Sequence, residues 1–276
     1  MICFYHGSDL DGHCSGAIVK MKYPECELVP VDYGVGFPWN KVKDEDIIMV
    51  DFCLQPFDDM FLLKEKANSL IWIDHHQDKI KQYKKQYLRI DGLRINGIAG
   101  CELTYQYFYN TFDLPTFVSL LGRYDVWDHD ADPRVMPFQL GMSRYNTLPD
   151  NQEFWLSLFD YEKVMRIVED GSIILEYRDK ENEKYVKACA FETELEGHRC
   201  LAVNKMLTNS QIFDSIWDNA KYDFMVTFGW WNGAWTVSIY TDKEGYDGSK
   251  ISKKYGGGGH KQASGFQCKE LPFKLK

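Results

Sequence analysis

The sequence predicts a two-domain α/β protein: a larger N-terminal domain with a mainly parallel sheet flanked by helices, a helical linker, and a smaller C-terminal α/β domain. Three observations carry this expectation. Short apolar runs alternate with stretches of helical spacing over the first half of the chain, the pattern of parallel strands joined by helical crossovers. A charge-dense helical stretch without turn chemistry follows, as in an exposed connector. Beyond it lie two hairpin signals, one of them Asn-Gly between aromatic, alternating arms.

In chain order, ICFY (2–5) reads as a buried strand, HGSDLDG (6–12) as a loop and CSGAIVKMK (14–22) as a helix. A second strand is predicted at ELVPVDY (27–33). After the loop YGVGFPWN a third follows at DIIMVDF (46–52), ended by Asp51. FDDMFLLKEKA (57–67) has helical spacing, and LIWIDHH (70–76) is the fourth strand running into Asp74, His75 and His76. Apolar and aromatic residues three and four apart predict helices over 97–112 and 114–128, the latter ending near Asp125. Residues 150–185 read as a long helical span broken at Gly171. These features set the domains at 1–150, a linker at 151–185 and a second domain at 186–276. In the last, 186–204 forms a hairpin turning at EGH, 209–220 an amphipathic helix, 222–242 a second hairpin and 250–255 a helix before GGGGHKQASGF.

Composition narrows the function. A chain of 276 residues, 45% hydrophobic, has enough apolar content for one large or two modest domains. With no run of about 18 apolar residues and no signal-peptide pattern at MICFYHGSDL, a cytoplasmic, membrane-free location is expected. The eight cysteines include no C-x-x-C pair, which disfavours a zinc ribbon or disulfide framework. A net charge of −9 argues against long duplex nucleic acid as a partner, because that affinity needs many Lys and Arg against phosphates. It leaves small phosphorylated ligands open, since cations bound by the acids would invert the local field. A homodimer is compatible with all of this.

The residues that carry chemistry sit at strand ends or next to them: His6, Asp9 and Asp11; Asp51; Asp74, His75 and His76; and Asp125. Ligands bind beyond the carboxyl ends of strands in open α/β sheets. Carboxylate oxygens with imidazole nitrogens and no thiolate suit Mn²⁺, Mg²⁺, Fe²⁺ or Co²⁺ better than structural zinc. So many ligands fit two ions rather than one, an arrangement used for displacement at phosphorus. Each piece alone has a plainer explanation. Asp-x-Asp-Gly is common turn chemistry, and Asp51 could be a helix N-cap. The glycine run could be a flexible loop, or a nest whose N–H groups meet a phosphate, with His260 and Lys261 adding donors.

H-x-x-D-x-D-G at 6–12, V-D at 50–51, D-H-H at 74–76, G-R-Y-D at 122–125 and GGGGHKQASGF at 256–266 together resemble the DHH phosphoesterase family with its C-terminal domain, over essentially the whole chain. The resemblance implies two domains facing across an active-site cleft and two divalent ions, Mn²⁺ first. His6 and Asp9 would bind one ion, Asp11, His75 and Asp125 the other, and Asp51 would bridge both. His76 would meet the substrate as a catalytic residue, with Asp74 behind a histidine, expected to be His75. Gly257, Gly258, Gly259, His260 and Lys261 would bind substrate. Two departures stand out: the His6–Asp9 offset is three residues where many relatives have four, and Tyr240 stands where many have arginine. The expected activity is hydrolysis of phosphoesters in small nucleotides or very short oligonucleotides, as in short-oligoribonuclease-type proteins. Alternatives are a phosphatase acting on 3′-phosphoadenosine 5′-phosphate, a polyphosphatase, or a catalytically silent nucleotide-binding protein.

Overall fold

The apolar run at the N-terminus becomes β1 (Ile2–His6), and because it lies inside the sheet both of its faces are covered. The computed structural model describes residues 1–87 and 89–275. In it, β1 pairs in parallel with β2 (Glu27–Val31) on one side and with β3 (Asp46–Val50) on the other. Beyond β3 lies β4 (Ser69–Ile73), so the order is β2-β1-β3-β4. Alternation along the strands sorts their side chains into two cores. Ile2, Phe4, Ile47, Met49, Leu70 and Trp72 face one side, and Cys3, Tyr5, Ile48, Val50 and Ile73 face the other. Pro30 falls in β2 at the sheet edge, where a missing N–H is tolerated.

The helices are α1 (Leu10–Lys22), α2 (Asp59–Lys66), α3 (Gln77–Lys84), α4 (Gly100–Tyr109), α5 (Thr116–Asp125), α6 (Val135–Met142), α7 (Gln152–Ser157) and α8 (Tyr161–Cys189). Ile18 of α1, Phe117 and Leu121 of α5, Phe138 of α6, Trp155 of α7 and Ile167 of α8 share one buried cluster. Among the described residues no helix is long and apolar enough to cross a membrane.

The expected break at Gly171 is absent, and α8 runs through it. The glycine answers to packing. A Cβ at Gly171 would strike the carbonyl oxygen of Pro137, and one at Gly141 would strike the carbonyl of Ile167, so α6 and α8 approach backbone to backbone at two glycines. The chain divides into two compact units, Met1–Leu175 and Glu176–Lys276. Of the span 151–185 expected as a connector, the part up to Leu175 packs in the first unit and the remainder belongs to the second.

The second unit holds a six-stranded sheet, order β5-β6-β7-β8-β10-β9, with α9 (Gly248–Lys254) between β8 and β9 in the chain. Its strands are β5 (Phe191–Leu195), β6 (His198–Asn204), β7 (Phe224–Trp231), β8 (Ala234–Tyr240), β9 (Gly258–Gly259) and β10 (Ala263–Cys268). Both predicted hairpins form, the first beginning only at Phe191 because α8 continues to Cys189. Glu196-Gly197 and Asn232-Gly233 adopt positive φ at both positions, matching the twist of the strands they join. The amphipathic helix expected at 209–220 does not form. Only one 3₁₀ turn, Ser210–Phe213, is present, because Asn209 and Asp218 side chains accept from nearby backbone N–H groups and hold the chain in local turns.

Replacing Gly171 by alanine should destabilise the protein by about 1–3 kcal/mol, the usual cost of overpacking. Urea denaturation of the variant checks this, and an unchanged midpoint would refute the close crossing.

Candidate metal centre

The crossovers bring four chain segments to the same edge of the first sheet, past the carboxyl ends of its strands. His6 closes β1. Asp9 caps α1, its side chain accepting the Gly12 N–H at 2.9 Å, so Asp11 lies in the first turn of the helix rather than in a loop. Asp51 follows β3 in a left-handed backbone, φ 53°, while its N–H still donates to the Ile73 carbonyl at 2.9 Å. Aspartate is among the few residues that accept this conformation. Asp74, His75 and His76 leave β4, and Asp125 ends α5.

These residues converge. His6 Nδ1 lies 2.8 Å from Asp9 Oδ2 and 3.6 Å from Asp51 Oδ2. His75 Nε2 lies 3.2 Å from Asp51 Oδ1, 3.4 Å from Asp125 Oδ2 and 3.7 Å from Asp11 Oδ2. Three ligand groups result: His6 with Asp9 and Asp51; Asp11 with His75 and Asp125; and Asp51 with His75 and His76. Asp51 belongs to two of them and is only 1% exposed.

The atoms fit divalent cations. His6 Nδ1, Asp51 Oδ1 and Asp125 Oδ2 are buried and make no aligned hydrogen bond with the protein, although charged partners stand nearby. An orphaned buried polar atom costs about 1–3 kcal/mol, which a bound cation would offset. The set is nitrogen and oxygen only, the donor set of hard or borderline ions.

Protonation reflects the same crowding. Burial, with Asp11 adding to it, pushes the Asp51 carboxyl well above its usual range, and burial and Asp11 push Asp125 up to about 9. Burial alone would lower the histidines. The adjacent Asp51 and Asp9 carboxylates nevertheless raise His6 to about 11, and Asp11 and Asp125 raise His75.

The structure differs from the sequence reading at Asp74. Its Oδ1 accepts from the His76 ring, Nδ1 at 2.6 Å, and from the backbone N–H groups of His75 and His76 at 2.7 and 3.2 Å. The ring it orients is therefore that of His76, not His75. Against the pull of burial, this contact raises the pKa of His76.

Several contributors were not anticipated. The N–H groups of Gly100 and Cys101, at the start of α4, donate to Asp11 at 2.8 and 2.7 Å. A Cβ at Gly100 would sit 2.7 Å from that of Asp51, so only glycine fits. Asp32 Oδ1 stands 3.5 Å from His6 Nε2, and the rings of Tyr33 and Phe52 flank His6 at 5.7 and 5.9 Å. A signal for Asp32 was present: Val31-Asp32 ends β2 as Val50-Asp51 ends β3.

In the second unit Gly258 and Gly259 form a short edge strand on β10, and Gly259 has φ 125°. The N–H groups of Gly257 and His260 donate to the Ser252 and Ala263 carbonyls at 2.9 and 2.8 Å. Those two donors are committed within the fold, whereas the side chains of His260 and Lys261 are exposed. Tyr240 is half-buried among Leu201, Phe213 and Met225, with its hydroxyl 3.3 Å from the Thr208 carbonyl.

No family model matches the chain. It is 26% identical, over a 296-residue alignment, to the uncharacterised protein R106 of Acanthamoeba polyphaga mimivirus, covering 96% of this chain and 66% of that protein. The chain thus spans slightly under two thirds of that relative's length. Among solved structures it resembles the pGpG-specific phosphodiesterase PggH of Vibrio cholerae, with TM-score 0.56, 13% identity, and coverage of 96% of this chain and 92% of that one. It also resembles an exopolyphosphatase-related protein of Bacteroides fragilis, with TM-score 0.50, 14% identity, and coverage of 98% and 87%. The likeness is one of fold. It matches the architecture expected from the sequence, a parallel sheet flanked by helices followed by a second, sheet-rich domain.

Metal binding should release protons. His6, raised to about 11, and Asp125, raised to about 9, both hold a proton at pH 7 and must lose it to ligate. Affinity for Mn²⁺ should therefore rise from pH 6 to pH 8. Calorimetric titration in buffers of different ionisation enthalpy measures the proton count; an affinity independent of pH would contradict the assignment.

Proposed function

We propose that the chain is a two-metal-ion phosphoesterase of the DHH type, hydrolysing phosphoester bonds in small nucleotides or very short oligonucleotides. The observation that carries this is the shared carboxylate. Asp51 stands between His6 and His75, 3.6 and 3.2 Å from their ring nitrogens, and so joins two ligand groups into one centre. Support comes from the fold shared with a phosphodiesterase specific for pGpG, a short anionic substrate. The net charge of −9 favours such substrates over long strands, which call for a basic track.

His6, Asp9 and Asp51 would hold one cation, and Asp11, His75 and Asp125, with Asp51, the other, Mn²⁺ being the first candidate. When bound, such ions supply Lewis acidity, offsetting charge that builds on phosphoryl oxygens and acidifying water. The side chains around them position and move protons. Asp74 accepts from Nδ1–H of His76, which fixes the ring; in its protonated form, which this contact favours, His76 has Nε2–H to donate to a phosphoryl or leaving oxygen. Gly100 and Cys101 hold Asp11 from behind with two backbone donors, so its carboxylate needs no rearrangement to act. In the second unit, the exposed side chains of His260 and Lys261, following Gly257, Gly258 and Gly259, would supply donors to a phosphate.

With Mn²⁺, a panel of two- to five-nucleotide RNAs, linear and cyclic dinucleotides, 3′-phosphoadenosine 5′-phosphate and polyphosphate should show cleavage of the short linear species. Cleavage of none, with any divalent ion, overturns the enzyme reading. Asp51→Asn should abolish turnover while thermal unfolding of the metal-free protein stays cooperative; near-wild-type turnover at saturating Mn²⁺ would remove Asp51 from its role. His76→Ala should lower kcat by about 100- to 10,000-fold, the range for a positioned acid. His260→Ala should raise KM and spare kcat.

A further inference from the structure

Next to the centre, behind the segment joining β2 to β3, lies a cavity of about 210 Å³. Asp32, Tyr33, Phe37, Trp39 and Phe52 line it. Three of these, Asp32, Tyr33 and Phe52, stand also at the wall of the centre. The Tyr33 ring lies 4.6 Å from Phe52, 5.7 Å from His6 and 6.3 Å, edge-on, from His76. The lining thus changes from nitrogen and oxygen ligands to aromatic faces within one side chain's length. Covering the sheet explains Phe37, which packs on Phe4 at 4.6 Å. Tyr33 packs against the same core, but its ring also lies against His6 and His76 of the centre and lines the cavity.

We propose that this cavity receives the nucleobase of the nucleotide whose phosphate lies at the centre, with guanine preferred; the step rests on the phosphoesterase reading above. The volume is below the roughly 300–1,000 Å³ of pockets that take drug-sized ligands, so it suits one planar ring system. Base–aromatic stacking contributes about 1–3 kcal/mol and tolerates any base. Selectivity comes from the polar rim. Asp32 is held by the Ser8 hydroxyl and by the Tyr33 N–H at 2.7 Å, and Asp59 adds a second carboxylate. A carboxylate only accepts, and accepts two parallel donors well. Guanine offers two adjacent donors, at N1 and N2, whereas adenine offers the N6 amine alone.

Gly36 allows a test that removes no packing. It lines the cavity, its φ lies outside the left-handed region, and a Cβ there meets nothing within 4 Å. Gly36→Phe should therefore place a ring at the cavity's lining without backbone strain, and Trp39→Ala should remove a stacking wall. Guanosine, adenosine and cytidine are titrated calorimetrically into the full chain without metal. Guanosine should bind wild type most tightly, and about tenfold or more weaker to either variant, a difference of about 1.4 kcal/mol. In both variants Mn²⁺ affinity should stay at the wild-type value, and with a guanine dinucleotide KM should rise while kcat holds. Equal guanosine affinity in wild type and Gly36→Phe, or no nucleoside binding to wild type, overturns the proposal; adenosine binding as tightly as guanosine overturns the guanine preference. If wild type hydrolyses nothing yet guanosine binding still depends on Gly36 and Trp39, the phosphoesterase reading falls and the base cavity stands.

Discussion

Mutual repulsion among buried carboxylates is the constraint on which the centre depends. Asp11 and Asp51 are almost wholly buried, Asp125 is close by, and each raises the cost of charge on the next. A fold can keep such a group only by countering it, and the compensation here is graded. Backbone donors of α4 serve Asp11, and His75 stands beside the Asp51 and Asp125 oxygens that make no hydrogen bond. The four-stranded sheet makes this possible because parallel strands end together, so residues far apart in sequence meet without any long loop crossing the core. What the first unit's hydrophobic clusters stabilise is in part the cost of this one edge.

Much of the centre was legible because polar residues directly after buried apolar runs are conspicuous. His6, Asp51 and the Asp74-His75-His76 triplet all stand out in this way, and all reach the same edge. Asp32 carried the same mark but ends a weaker, half-exposed strand interrupted by Pro30. The donors from Gly100 and Cys101 could not be read at all, since a backbone N–H has no side-chain signature. Nor could the partner of Asp74: two adjacent histidines look alike in sequence, and only the ring directions after β4 decide which one the carboxylate meets.

The fold was legible where periodicity decides and obscure where a glycine has more than one use. Asn232-Gly233 announced its hairpin through positive φ, a local demand. Gly171 looked like a helix breaker, yet it serves a non-local demand, the close passage of α6 over α8. The glycines near the C-terminus combine both: Gly259 needs its left-handed backbone, while Gly257 leaves space for Gly265 and Phe266. At 209–220 the apolar spacing was helical, but Asn and Asp side chains competing for the backbone outweighed it.

The left-handed backbone at Asp51 narrows the alphabet available to that position from two directions. Geometry alone admits glycine, asparagine and aspartate readily and penalises β-branched or bulky side chains. Charge alone admits aspartate and glutamate. Their intersection is a single residue, so drift at this position has nowhere to go by small steps. Any descendant of this chain that abandoned the centre would still be held near asparagine or glycine there, and such a replacement at the end of β3 is where the loss would first become visible in a sequence.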